Sequence, residues 1–148
     1  LLGVKIAVPL FARGLEESEK ALSPGVKYRH YSPETPVTLT EFGQCTELGC
    51  MVKCVRAVIE EYMRKGLKVA VICSSETCRH YTGVKTLELG SRLNPYEIAK
   101  NLFKTLRQVD ELGVDIAIAE GFEEQGIGLA IMNRLRKASS DLRSCSLI

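Results

Sequence analysis

Apolar residues recur through residues 46–65 at Leu48, Met51, Val52, Val55, Val58, Ile59, Tyr62 and Met63. This spacing follows 3.6 residues per turn and predicts an amphipathic helix with one buried stripe. Gly66 comes just after the stripe and marks the helix end. The pattern then changes. LKVAVICS, residues 67–74, is continuously apolar and rich in valine and isoleucine, as a strand covered on both faces requires. VTLT (37–40), VKTLEL (84–89) and VDIAIAE (114–120) read as further strands. Asn94-Pro95-Tyr96-Glu97 offers an N-cap, a proline at the first helical position and a glutamate at the third. The helix it opens carries Ile98, Leu102, Phe103, Leu106 and Val109 on one face and stops at Gly113. GIGLAIMNRLRKA, residues 126–138, predicts the last helix.

The order β-α-β-β-α-β-α predicts an α/β chain. It is a three-layer α/β/α Rossmann-like sandwich whose mostly parallel sheet has about four or five strands. The ten-residue link SETCRHYTGV is near the lower limit for a parallel crossover, which leaves one strand open to being antiparallel. Ahead of this unit, Ser23-Pro24-Gly25-Val26 has type II turn chemistry, and Pro33 and Pro36 push their neighbours out of the α region. The chain therefore divides into residues 1–22, a strand-like VKIAV (4–8) followed by a polar spacer; 23–36, an extended linker; 37–140, the Rossmann-like domain; and 141–148, a tail. The apolar VKIAV segment has no hairpin partner nearby, and the expectation is a piece of a longer protein.

Composition narrows the function classes. Twenty basic against eighteen acidic residues, a net charge of +2, give no field for a polyanion, so direct nucleic-acid binding is not expected. No stretch reaches the ~20 apolar residues of a membrane span, and no secretory pattern opens the chain. Six cysteines without such a signal read as reduced thiols of a cytoplasmic protein.

Candidate chemistry is sparse. In the linker, Lys27, Arg29 and Tyr31 alternate with Val26, Tyr28 and His30, placing two cations about 7 Å apart on one edge, a spacing that suits phosphate oxygens. A solvated linker whose rings pack on a neighbouring domain is the competing reading. Gly126 and Gly128 precede a helix after a strand, but the dinucleotide fingerprint is incomplete and Glu120, Glu123 and Glu124 would repel phosphate, so loop-and-cap geometry is preferred. Cys45, Cys50 and Cys54 form C-x4-C-x3-C, which matches no common zinc spacing; Cys50 and Cys54 face away from the apolar stripe, and no metal site is assigned. CSLI at 145–148 has the form of a prenylation box without a polybasic run and reads as coincidence. No nucleophile–base–acid set or P-loop is present, so no catalytic residue is assigned.

Two stretches carry a resemblance. SPGVKYRHYSP (23–33) resembles the interdomain strap of long-form threonylcarbamoyl-AMP synthases, two-domain relatives of the YrdC proteins, with Val26 where methionine is usual. Residues 89–139, from LGSRLNPYEIAKN to MNRLRKAS, resemble the C-terminal accessory domain of the same family. The resemblance implies an enzyme that condenses L-threonine, bicarbonate and ATP, with magnesium, into threonylcarbamoyl-AMP for threonylcarbamoyladenosine modification of tRNA. Catalysis would reside in an N-terminal YrdC-like domain, the main partner of this chain, and a separate tRNA threonylcarbamoyl-transferase complex would take the product. Tyr28, His30 and Tyr31 match the motif, and Lys27 and Arg29 occupy its variable positions. By this resemblance His30 and Tyr31 would help close the neighbour's site over the nucleotide, with Arg29 or Lys27 near phosphate, while the domain by itself binds no cofactor. Glu120, Asn133 and Arg134 also match and read as structural. A stand-alone Rossmann-like nucleotide- or protein-binding module with a regulatory role is the alternative, and a cysteine-based metal or redox site a third reading.

Overall fold

The computed structural model describes residues 32–146. Lys27, Tyr28, Arg29, His30 and Tyr31, and the VKIAV segment, lie outside the described residues. The elements are β1 (Val37–Glu41), α1 (Leu48–Arg64), β2 (Val69–Cys73), a 3-10 turn (Cys78–His80), β3 (Lys85–Glu88), α2 (Pro95–Val109), β4 (Ile116–Glu120), α3 (Ile127–Ala138) and β5 (Asp141–Ser144). The five strands form one sheet in the order β3-β2-β4-β1-β5. Every pairing is parallel. No helix among the described residues is long and apolar enough to cross a membrane.

Side chains alternate along a strand, so each central strand feeds two cores. On one face Val69, Val71, Cys73 and Ile118 pack against Met51, Val55, Val58, Ile59 and Tyr62 of α1. On the other, Val37, Leu39, Ile72, Ala117 and Ala119 meet Leu102 and Leu106 of α2 and Ile131 and Leu135 of α3. Two alanines on that face of β4 leave room for the bulkier helix side chains. The α1 stripe is buried as its period predicts from Met51 to Tyr62, while at its two ends Leu48 is only partly buried and Met63 is half exposed.

One detail settles a point the sequence left open, and two depart from the sequence reading. First, β3 is parallel to β2, with Ala70 opposite Lys85 and Cys73 opposite Glu88. A connection needs only to return about four residues' length, and an extended ten-residue chain spans about twice that. Second, residues 141–148 read as a tail, yet Asp141–Ser144 pair with Thr38–Glu41 as β5. DLRS shows no period-2 apolar pattern because this edge strand leaves Asp141, Leu142 and Ser144 exposed. Third, Asn94 makes no side-chain cap hydrogen bond, although Pro95 does open α2.

Candidate functional site

Strands β1 and β4 are neighbours, but the chain leaves β1 for α1 on one face and leaves β4 for α3 on the other. Their C-terminal ends therefore part into a crevice, the place where open α/β sheets bind ligands. A cavity of about 360 Å³ lies there, between Phe42, which follows β1, and Phe122, which follows β4. The first turns of α1, α2 and α3 border it through Leu48, Pro95 and Gly128. Gly128 has no room for a side chain, since a Cβ there would meet the Glu123 carbonyl oxygen at 1.9 Å. Its amide donates to the Gln125 carbonyl at 3.0 Å, so the glycine loop closes on itself as a cap rather than opening as an anion cradle.

One wall of the crevice is built on Glu120, the last residue of β4 and fully buried. Oε1 accepts from the Ser74 amide at 3.1 Å, Thr77 Oγ1 at 2.7 Å and an Arg92 Nη at 2.9 Å; Oε2 accepts from the Tyr81 hydroxyl. Arg92 is engaged on every nitrogen, donating also to Ser74 Oγ at 3.0 Å and to the Gly121 carbonyl at 3.0 Å. Its guanidinium lies 4.3 Å from the Phe122 ring centroid and 5.8 Å from that of Phe42. Burial first, and then the adjacent Glu120 charge, push the Tyr81 hydroxyl far above its ordinary range, so it remains a donor. These contacts tie the β2–β3 connection, the turn before α2 and the end of β4 into one clamp. Each nitrogen of Arg92 and both oxygens of Glu120 have partners within the clamp, which rigidifies this wall of the crevice. Glu120 is thus structural, as the sequence reading has it. Its partners Ser74, Thr77, Tyr81 and Arg92 were not singled out from sequence. A glutamate closing the apolar run IAIA was the available signal, because a buried carboxylate must find a cation and donors.

The sulfurs overturn the reduced-thiol reading. Cys45 is bonded to Cys50 and Cys73 to Cys78. Cys54 and Cys145 are free, and Cys145 is buried. Burial, and then its hydrogen-bond contact with Cys54, push the Cys145 thiol up to about 12. Cys50 and Cys54 do lie off the α1 stripe, but they are partly buried against the α1 core, because the end of β5 and the turn after β1 cover that flank.

Where the described chain begins, it is held far from the crevice. Ser32 Oγ donates to the Lys137 carbonyl at 3.1 Å, and the Glu34 and Thr35 amides donate to the Asp110 carboxylate at 3.2 and 2.9 Å. These anchors lie at the helix ends beside the start of β1, about 17 Å of strand from the crevice. His80 is exposed. For magnesium the fit is poor among the described residues: the one group of three or more metal-ligating side chains drawn together is Cys45, Cys50 and Cys54, with no carboxylate in it.

Residues 4–140 match the family model described as threonylcarbamoyl-AMP synthase, C-terminal domain. The chain is 46% identical over 125 residues to the threonylcarbamoyl-AMP synthase of Pyrococcus abyssi, an alignment covering 82% of this chain and 33% of the relative. It is similar to the crystal structure of P. abyssi Sua5 complexed with L-threonine, with a TM-score of 0.66 and 36% identity over 89% of this chain and 42% of that one. A crystal structure of a C-terminal Sua5 domain from Pyrococcus horikoshii gives a TM-score of 0.59 at 37% identity, covering 77% of this chain and all of that one. The chain spans about a third of the length of the curated relatives it matches.

Proposed function

Because the chain belongs to the family of threonylcarbamoyl-AMP synthase C-terminal domains, we propose that it is the accessory domain and site-covering linker of such a synthase. The parent enzyme would make threonylcarbamoyl-AMP and pyrophosphate from L-threonine, bicarbonate and magnesium-bound ATP in the cytoplasm, for threonylcarbamoyladenosine in tRNA. Its N-terminal YrdC-like domain would carry the chemistry, and the tRNA threonylcarbamoyl-transferase complex would take the product. The observation that carries this reading is the family match, which includes the linker as well as the domain. The engaged state of Glu120 and Arg92 fits this reading, since both side chains are committed to joining elements of the domain.

In this reading the domain is an anchor. Asp110 and Lys137 hold residues 32–35, so the strap that precedes them leaves from a fixed point. His30 and Tyr31 would cover the neighbour's pocket over the nucleotide, with Tyr28 packing beside them and Arg29 or Lys27 near phosphate. Such a cover excludes water from a labile carbamate. The test is pyrophosphate release by the full-length enzyme with threonine, bicarbonate and ATP. His30→Ala and Tyr31→Ala are each expected to lower turnover by about tenfold or more, as loss of a positioning group does. Unchanged turnover in both would reduce the strap to a tether. Calorimetry of this chain alone with ATP is expected to show no binding; tight binding would favour the alternative, a nucleotide-binding module using the Phe42–Phe122 crevice.

A further inference from the structure

We propose that Cys45, Cys50, Cys54 and Cys145 form a zinc-binding thiolate site, of which the Cys45–Cys50 disulfide is the oxidised, metal-free state. The sulfurs of Cys45, Cys50 and Cys54 all lie within 4.8 Å of one another. Tetrahedral zinc at ~2.3 Å from each sulfur sets neighbouring ligands about 3.8 Å apart, so opening the Cys45–Cys50 bond and parting its two sulfurs brings the three to that spacing. The thiol of Cys145 reaches the group from the end of β5, in contact with Cys54. The bare C-x4-C-x3-C spacing hid this site, because its fourth sulfur comes from more than ninety positions away.

Backbone hydrogen bonds hold the segments that present these thiols. The Cys145 amide donates to the Glu41 carbonyl at 3.0 Å, the Gln44 amide to the Cys145 carbonyl at 3.1 Å and the Cys45 amide to the Phe42 carbonyl at 2.8 Å. This lacing extends the β1–β5 pairing past both strand ends and sets Cys45 beside Cys145. Gly43 makes it possible: its φ is +57°, and a Cβ there would meet Ser144 Oγ at 2.2 Å and the Cys145 carbonyl oxygen at 2.5 Å. From the other side, Cys50 and Cys54 stand one turn apart at the start of α1. Amide dipoles at a helix N-terminus favour thiolate over thiol at Cys50, which lies in the first turn of α1, and the acidic N-cap Glu47 offsets part of this. Cys45 and Cys145 are buried while Cys50 and Cys54 are partly buried, so the site is open to solvent on the α1 side.

The chemistry balances with one reductant. A dithiol or phosphine supplies two electrons, and with two protons the Cys45–Cys50 bond opens to two thiols while the reductant is oxidised. Zinc then takes four sulfurs, and four protons leave to solvent. The Cys73–Cys78 pair lies outside the cluster and serves as the internal control.

The test is titration of the full chain, reduced anaerobically with a phosphine, first with cobalt(II) and then with zinc(II). One cobalt per chain is expected, with thiolate charge-transfer and tetrahedral d–d absorption that one equivalent of zinc abolishes. Cys54→Ser and Cys145→Ser should each weaken binding by at least about tenfold, a loss at least as great as that of an outer-shell partner. Cys73→Ser should leave it unchanged. Where a serine variant does not fold, the wild-type chain with its disulfides closed replaces it and is expected to bind no cobalt. Absence of the charge-transfer band in the reduced chain, its survival in Cys54→Ser and Cys145→Ser, or equal binding by oxidised and reduced protein would each overturn the site.

Discussion

Arg92–Glu120 and Arg136–Glu41 are ion pairs of the same length, 2.9 Å, at the same edge of the sheet. They differ in water. The side chains of the first pair are 13% and 0% exposed; those of the second are 29% and 25% exposed, and Arg136 also reaches the exposed Glu124. Desolvation makes a buried charge costly to leave alone, whereas solvent screens a surface pair to a small value. Geometry alone would rank the two pairs equal; burial makes one a clamp and the other a trim. The crevice is therefore shaped by a polar cluster whose charged groups are committed to holding the fold.

Breaking the clamp gives the largest expected effect. Glu120→Ala strands Arg92 and the Tyr81 hydroxyl in the interior and should cost about 3–5 kcal/mol, measured by denaturant unfolding. A loss under ~1 kcal/mol would mean that water enters the cluster and that the comparison fails. Tyr81→Phe removes one donor to a carboxylate and keeps the ring, so about 1.5–3 kcal/mol is expected by the same measurement. Arg136→Ala should cost about 1 kcal/mol or less, and the difference from wild type should shrink as salt is raised. A large salt-independent loss would place Arg136 with the clamp instead.

The smallest effect is a pH dependence beside the clamp. Glu76 accepts from Ser91 Oγ at 2.6 Å and from the Arg92 amide at 3.0 Å. Partial burial pushes its carboxyl up, but these donors outweigh burial and hold it below its ordinary 4.5. A depressed value in the folded state stabilises the fold above pH 4.5 and ceases to do so as pH falls through the folded value. Ser91→Ala should therefore lower the thermal midpoint slightly at about pH 7, and the gap should close at about pH 3. A gap independent of pH would assign the Ser91 effect to its other contact, the Leu93 amide.

The crevice and the sulfur cluster were legible in unequal measure. A glutamate after IAIA announced that β4 ends on a buried charge, yet nothing local names Arg92, twenty-eight positions earlier, as its partner. The spacing of Cys50 and Cys54 put them on one helical face and off the apolar stripe. That they are nonetheless covered depends on β5, whose exposed edge has no pattern to read.

What the sequence determined by itself is the set of elements that bury a face: α1, α2 and α3 through their helical period, β1, β2 and β4 through short apolar runs. Burial demands a particular residue type at each position, so it leaves a trace in the chain. Only the tertiary structure decided that β3 runs parallel, that DLRS is a strand, and that Cys145 meets Cys54. Edge strands are held by backbone hydrogen bonds that any residue but proline can make, and sulfur contacts arise from crossovers that bring distant segments together, so neither leaves a local signal.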